Sequence, residues 1–103
     1  MRVEFHQEAL EEYELAALYY ASCRPGLEQR FITNVESIIG MIADEPRRCR
    51  RLEGEIRRCL TRVFPYAVLY SIEFDYLLII AIMHCHREPG CWRHRLSAGA
   101  QGI

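Results

Sequence analysis

An unbroken apolar run, YLLIIAIM at residues 76–83, constrains the fold more than any other feature of this sequence. Its eight residues match the length of a β-strand, and they fall far short of the roughly 20 apolar residues that cross a bilayer. A strand with one face in water alternates apolar and polar side chains, and this run does not alternate. It therefore predicts a strand that is buried on both faces or lies at the centre of a sheet, and it predicts no membrane span.

Three other segments, residues 2–5, 57–63 and 66–72, have the pattern of shorter strands. The third segment alternates and would carry four apolar or aromatic side chains on one face: Tyr66, Val68, Tyr70 and Ile72. Asp75 lies in a tight connection between this segment and the apolar run. Aromatic side chains at alternating positions are typical of a half-buried strand, so we expect those of this segment to belong to the core.

Two amphipathic helices are predicted between the first strand and the others. Residues 7–21 repeat apolar side chains every three or four positions, with glutamates early, where they favour the helix N-terminus. Pro25 and Gly26 end this helix, and a second stripe at residues 27–43 stops before Pro46. The order of elements predicts an α+β fold, β-α-α-β-β-β, in which a helical hairpin packs on a mainly antiparallel twisted sheet.

Length and termini bound the organisation of the chain. Its 103 residues are the size of one domain, so we expect a single domain at residues 1–96 and a loose tail at residues 97–103. The N-terminus is acidic and amphipathic, where a secretion signal would be apolar. The sequence therefore predicts a cytoplasmic protein that does not interact with a membrane.

Charge is divided unevenly along the sequence. Residues 1–46 hold nine acids and three arginines, a net charge of −6, whereas residues 47–103 hold ten arginines and five acids, a net charge of +5. The guanidinium group is a planar fork of donors that suits phosphate or carboxylate, so the basic half is compatible with an anionic partner. A genome rich in arginine codons, or pairing with the chain's own acids, explains the same composition.

The five cysteines are an odd number and form no CxxC pair, which predicts reduced thiols. A hairpin that turns at Gly54 would place Cys49 and Cys59 opposite each other. In a reducing compartment we nevertheless expect these two to remain unpaired.

The segment HCHREPGCWRHRL, residues 84–96, concentrates reactive side chains and allows three interpretations. A metal site could use four of them as ligands: His84, His86, Cys91 and His94. Their spacing lacks the doubled CxxC or the HExxH pattern that makes a zinc site convincing, so we predict no metal. A histidine could also serve as an acid or base, since imidazole titrates near neutral pH.

The third interpretation of this segment is structural, and we favour it. The strand ends at His84, the chain turns at Pro89 and Gly90, and Trp92 closes the core. Three arginines then stay in solvent or contact a partner: Arg87, Arg93 and Arg95.

The order of these motifs resembles that of a known family. After the helical pair come IRRCLTRVFPYAVLYSIE and LLIIAIMHCHREPGCWRHR, and together they resemble the RelE/ParE superfamily of toxins from type II toxin-antitoxin systems, often called plasmid stabilization proteins. The resemblance covers roughly residues 1–95. It is anchored by ten residues: Phe64, Pro65, Tyr66, Val68, Tyr70, His84, Arg87, Pro89, Trp92 and Arg95. It implies a toxin that arrests growth and is neutralised by a cognate antitoxin.

The resemblance implies one of two activities. RelE-like members cleave messenger RNA on the ribosome, which would need groups that bind the phosphate and an acid or base. Such groups would be Arg58, Arg62, Arg87, His84 and His86. The chain has no lysine and no C-terminal tyrosine of the kind that many RelE-like enzymes use. We therefore favour the ParE-like activity, inhibition of DNA gyrase without catalysis.

Under that interpretation we expect no cofactor, and a set of arginines with one tryptophan to contact the target or the antitoxin. The set is Arg57, Arg58, Arg62, Arg87, Trp92, Arg93 and Arg95. Because successive strand residues point to opposite faces, Arg58 and Arg62 should share a face that Arg57 does not. We also expect the toxin-binding segment of the antitoxin to be net acidic. A degenerate toxin that serves only as an interaction domain is a third possibility.

Overall fold

A computed structural model describes residues 1–87 and 90–96 of the chain. Its elements are β1 Arg2–Phe5, α1 Gln7–Cys23, α2 Leu27–Asp44, β2 Arg51–Glu53, β3 Ile56–Leu60, β4 Tyr66–Ile72 and β5 Tyr76–His84. The predicted α+β fold is confirmed, with one short strand, β2, that the sequence pattern did not predict. The predicted tail at residues 97–103, and Pro89 of the predicted turn, lie outside the described residues.

The five strands form one sheet in the order β1-β5-β4-β3-β2. β1 pairs with β5 in parallel, and the other three pairs are antiparallel. β5 is therefore an interior strand. Its side chains are buried on both faces, with Leu77, Ile79 and Ile82 in one core and Ile80, Ala81 and Met83 in the other. The prediction made from the apolar run is confirmed.

The helical hairpin covers one face of this sheet. α2 directs one stripe of buried residues at it: Phe31, Val35, Ile38, Ile39 and Ile42. α1 begins after His6, whose Nδ1 accepts a hydrogen bond from the backbone N–H of Glu8 at 3.1 Å and so caps the helix. The hairpin turns at Gly26, where φ is +85° and glycine is favoured. No helix in the described part of the chain is long and apolar enough to cross a membrane.

Four aromatic rings join the helices to the sheet. Tyr20 and Phe31 contact Phe64 with ring centroids 4.8 and 5.2 Å apart, and Phe31 contacts Tyr66 at 5.2 Å. All three contacts are edge-to-face, a geometry that aromatic quadrupoles prefer. Tyr70 is fully buried, and its hydroxyl donates a hydrogen bond to the carbonyl of Pro46 at 2.6 Å. The expectation that the aromatics of β4 belong to the core is confirmed.

The last described segment, residues 90–96, packs over the other face of the sheet. Gly90 turns the chain into this segment with φ +83°. Trp92 is 2% exposed, and it shares the second core with side chains from β3, β4 and β5 that include Ile56, Leu69 and Met83. The prediction that Trp92 closes the core is confirmed, as is the end of β5 at His84.

The predicted end of the second sequence-derived strand, at residue 63, is wrong. β3 ends at Leu60 and not at residue 63, because the Thr61 hydroxyl donates to the carbonyls of Phe64 and Tyr66, at 2.6 and 3.1 Å, in a tight turn. Arg62 consequently lies outside the strand and does not share a strand face with Arg58. Its backbone N–H donates instead to Asn34 Oδ1 of α2 at 3.2 Å.

The second correction concerns two of the cysteines. Cys49 and Cys59 form a disulfide, with their Cα atoms 5.6 Å apart. The hairpin of β2 and β3 turns at Gly54, where φ is +56°, and brings the two residues opposite each other. The expectation that all five cysteines are free thiols is therefore wrong for this pair, because the hairpin geometry that the sequence allowed is the one that forms. Cys23, Cys85 and Cys91 are free.

Candidate functional site

The face of the sheet opposite the helices carries a groove lined by arginine and apolar side chains. β3 exposes Arg58 and Leu60 on this face, while Cys59 points toward the helices. A cavity of about 170 Å³ lies beside Trp92, and its walls are Leu52, Glu53, Arg58, Ala67, Leu69, Met83, Cys85, Arg87, Gly90, Trp92 and Arg93. A second hollow adjoins it, lined by Arg50, Arg51, Leu52, Arg58 and Leu60. Because Leu52 and Arg58 border both, the two form one continuous surface, which we call the arginine groove.

Three arginines of the groove are neutralised by carboxylates of the chain. Arg93 makes two hydrogen bonds to Glu53, at 2.6 and 2.9 Å, and these lower the pKa of Glu53 and raise the pKa of Arg93. Arg87 contacts Glu12 at 2.9 Å, and Arg51 lies 3.8 Å from Glu55. These pairs are largely exposed on the arginine side, so each holds its side chain in place with little gain in stability.

Arg50 and Arg58 differ from the other arginines of the groove. Among the described residues, no carboxylate oxygen lies within 4.0 Å of either guanidinium group. Both side chains are exposed. The positive charge that they bring to the groove is therefore available to an external partner.

The two histidines proposed for acid-base chemistry lie elsewhere. The ring of His84 packs edge-on against Tyr66 at 5.3 Å, and Tyr66 belongs to the core beneath the helices. His84 Nδ1 accepts a hydrogen bond from the backbone N–H of His86 at 3.1 Å. A separate hollow there includes Leu15, Tyr19, Tyr66, His84 and Arg87. Arg87 borders both this hollow and the arginine groove, whereas His84 lines only the hollow and His86 lines neither.

Arg57 and Arg95 are used within the fold. Arg57 Nη1 donates to the carbonyls of Arg47 and Cys49, at 3.1 and 2.7 Å, and so holds the chain that leads into β2. Arg95 is only 4% exposed, so the prediction that it stays in solvent is wrong. Its guanidinium donates to both oxygens of Glu12, at 2.8 and 2.9 Å, and these bonds raise its pKa.

The four proposed metal ligands do not converge on one site. His84 and His86 contact each other, with ring centroids 5.2 Å apart, but His94 contacts Glu8 instead, at 2.9 Å. In the part of the chain that the structure describes, no three His, Cys, Asp or Glu side chains gather where they could hold a metal ion.

Of the predicted contact residues, the structure places Arg58, Arg87, Trp92 and Arg93 on the groove, and it places Arg57, Arg62 and Arg95 away from it. Sequence reasoning did not place the β2 side of the groove, which includes Arg50, Arg51 and Leu52, nor Leu60 of β3. The sequence does carry a signal for them, because an arginine is followed two positions later by a leucine on each side of Gly54. In a strand of only three residues this pattern is too short to be recognised.

Comparison with known proteins decides the family. The sequence matches the family described as the ParE toxin of the type II toxin-antitoxin system parDE, over residues 3–89. This protein belongs to the ParE toxin family. No curated protein matches it. Among solved structures it resembles a chain described as "Chromosomal ParDE TA system from P. aeruginosa", with a TM-score of 0.60 and 11% sequence identity, covering 82% of this chain and 95% of that one. At that identity the likeness shows that this ParE chain shares the fold.

Proposed function

We propose that this ParE family member arrests growth in the cytoplasm by binding and inhibiting DNA gyrase without catalysis, and that a cognate antitoxin neutralises it. The observation that carries the proposal is the separation of its histidines from its free arginines. Cleavage of RNA would need a proton donor or acceptor within hydrogen-bond reach of the groups that bind the phosphate. Among the described residues, Arg58 faces a groove that no histidine lines.

The arginine groove is the proposed surface for macromolecular contact. Arg50 and Arg58 supply the positive charge that no described carboxylate neutralises, and Trp92 forms one wall. Aromatic and arginine side chains are the residues most enriched where proteins bind each other. A non-enzymatic inhibitor needs such a surface and does not need an acid-base pair.

One observation favours a second candidate, ribosome-dependent cleavage of messenger RNA. Arg87 borders both the groove and the hollow that His84 lines, so an RNA strand that crosses Arg87 would reach the groove and the hollow. His84 or His86 would then transfer protons, while Arg58, Arg62 and Arg87 would bind the phosphate. This activity would need a substrate that spans the edge of the sheet.

Two assays on one purified preparation test the proposal. The first measures supercoiling by DNA gyrase with and without the protein, and the second measures cleavage of messenger RNA on programmed ribosomes. We expect loss of supercoiling with intact message. Cleavage at the ribosomal A site would overturn the proposal, and His84→Ala, His86→Ala and Arg62→Ala would then be tested for loss of cleavage. Failure of both activities, with normal growth of cells that express the chain alone, would indicate a degenerate toxin.

A further inference from the structure

The first helix carries large apolar side chains on the side that faces away from the sheet. Leu15 is 67% exposed, Leu18 is 63% exposed and Tyr19 is 60% exposed. The opposite side of the same helix buries Ala16 and Tyr20 in the core. The outward side of a surface helix normally carries polar residues, and neighbouring exposed apolar residues mark a site of protein contact. This surface of α1 therefore predicts a protein partner.

The spacing of the exposed residues indicates the geometry of the contact. Steps of four, three and four residues connect Glu11, Leu15, Leu18 and Ser22, all of which are exposed. This is the spacing of the contact positions in a coiled coil, where two helices pack side by side. The two leucines lie at the centre of the row and the two polar residues at its ends. The row, which we call the α1 seam, can pack lengthwise against a second helix of the same spacing.

The α1 seam is complementary to itself when two copies of the helix run antiparallel. A two-fold axis midway between Leu15 and Leu18 places Leu15 of each copy against Leu18 of the other. Arg24 follows directly after the last residue of α1. With a rise of about 1.5 Å per residue, Glu11 of one copy and Arg24 of the other then lie within about 3 Å of each other along the helix axis. An arginine side chain spans that offset, so an ion pair can form at each end.

The charges of α1 favour this antiparallel pairing. Among the described residues, Arg24 has no carboxylate oxygen within 4.0 Å, and Glu11 has no basic nitrogen within that distance. Both side chains are exposed and available to a second copy. The two copies of Glu11 would be about 16 Å apart along the helix axis, beyond the screening length of about 8 Å at physiological salt. Antiparallel helices also bring opposite ends of their dipoles together.

We propose that this protein self-associates through α1 as a two-fold antiparallel dimer, with Leu15 and Leu18 at its centre and an ion pair between Glu11 and Arg24 at each end. Tyr19 flanks the seam and widens the apolar contact. The helical hairpin covers the face of the sheet opposite the arginine groove, so the dimer leaves both grooves open. One helix from each copy makes a small interface, and we expect a dissociation constant on the order of micromolar.

Sedimentation velocity of the full-length protein tests for the dimer. Between about 1 and about 100 μM protein, the average mass should rise from that of one 12.1 kDa chain toward twice that value. Non-reducing gel electrophoresis of each sample excludes a cross-link through the exposed Cys23. Leu18→Glu should weaken the dimer at least about tenfold, because it places two charges at the centre of the contact. Val63→Glu, at a similarly exposed apolar residue between β3 and β4, is the control and should change the dissociation constant less than about twofold.

A charge exchange tests the antiparallel arrangement. Glu11→Arg and Arg24→Glu should each weaken the dimer about fivefold, because two-fold symmetry replaces attraction by repulsion at both ends. The double variant restores opposite charges, so its dissociation constant should return to within about twofold of that of the unsubstituted protein. A role of either residue within its own chain would not give this recovery.

Three outcomes would overturn the inference. The first is a monomer at every concentration. The second is a dimer that Leu18→Glu leaves intact, which would place the contact elsewhere. The third is a charge exchange that fails to restore association, which would exclude the antiparallel arrangement. If the protein is monomeric and Leu18→Glu prevents neutralisation by a co-expressed antitoxin, the α1 seam belongs to the antitoxin and the inference is wrong. None of these outcomes depends on inhibition of gyrase, so the proposed function is tested separately.

Discussion

Arg95 donates two hydrogen bonds to Glu12, which lies 83 residues earlier in the sequence. Together the two side chains bind the backbone of β5 at the edge that faces β1. β1 pairs with β5 only as far as Ile79, and among the described residues no strand pairs with this edge of β5 beyond it. Arg95 donates to the carbonyl of Ile80 at 2.8 Å, and Glu12 accepts from the backbone N–H of Ile82 at 3.1 Å. Two side chains thus take the place of a strand, and they fasten the C-terminal segment to α1 at the same point.

Glu12→Ala is expected to lower the free energy of unfolding by about 3 kcal/mol. The reason is that removal of one member of a buried ion pair leaves the other charge poorly compensated. Here that charge is on Arg95, which is 4% exposed and has only the more distant Glu8, at 3.9 Å, as a remaining carboxylate. Glu11→Ala is the matched control, since Glu11 is the exposed neighbour on the same helix. Its effect should stay within about 0.5 kcal/mol. Urea denaturation measures both, and equal losses would contradict the structural role of Glu12.

Trp92→Ala is expected to lower the free energy of unfolding by about 3 to 5 kcal/mol, because it opens a cavity in the core on the helix-free face. Phe74→Ala is the control. It removes another aromatic ring from the β4–β5 turn, where Phe74 is fully exposed, so its effect should be within about 0.5 kcal/mol. Thermal unfolding followed by circular dichroism compares the two variants. A small effect at Trp92 would show that the C-terminal segment contributes little to the fold.

Sequence patterns predicted the elements whose signal is local. The periodicity of α2 and the unbroken run of β5 each lie within one stretch of chain, and both elements form where expected. The pairing of Glu12 with Arg95 was not predictable, because nothing local distinguishes Glu12 from the other glutamates of α1. It depends on where β1 ends in the folded sheet.

The candidate site was predictable in its residue types and less so in its geometry. Arg58 and Arg87 were expected at a contact surface, and both line the groove. The position of Arg62 depended on a turn made by the hydroxyl of Thr61, a hydrogen bond that alternation of residue types does not encode. β2 is only three residues long, so the sequence pattern of the strand that forms this side of the groove was too short to recognise.

The disulfide between Cys49 and Cys59 should stabilise the chain under oxidising conditions by about 2 kcal/mol, because it closes a short loop in the unfolded state. Cys49→Ser should remove the effect of a thiol reductant on the melting temperature. Cys23→Ser, at an exposed free cysteine, should leave the difference between the oxidised and reduced protein unchanged. A melting temperature of the unsubstituted protein that does not respond to reductant would contradict this prediction.

Arg93→Gln is expected to raise the pKa of Glu53 toward its ordinary value, because the hydrogen bond from Arg93 is the main cause that lowers it. A carboxyl group with a lowered pKa stabilises the folded state above its unfolded pKa, and that stabilisation is lost as the pH falls through the folded value. Between the folded and unfolded pKa values of Glu53, the free energy of unfolding of the variant should therefore depend less on pH than that of the unsubstituted protein. Carbon-13 NMR titration of the glutamate carboxyls measures the shift directly. Arg51→Gln is the control. Arg51 lies on the same strand as Glu53 but pairs with Glu55, so this variant should leave the pKa of Glu53 unchanged. If Glu53 titrates identically in the unsubstituted protein and in Arg93→Gln, the pair does not form in solution, and the rim of the arginine groove carries one more free arginine.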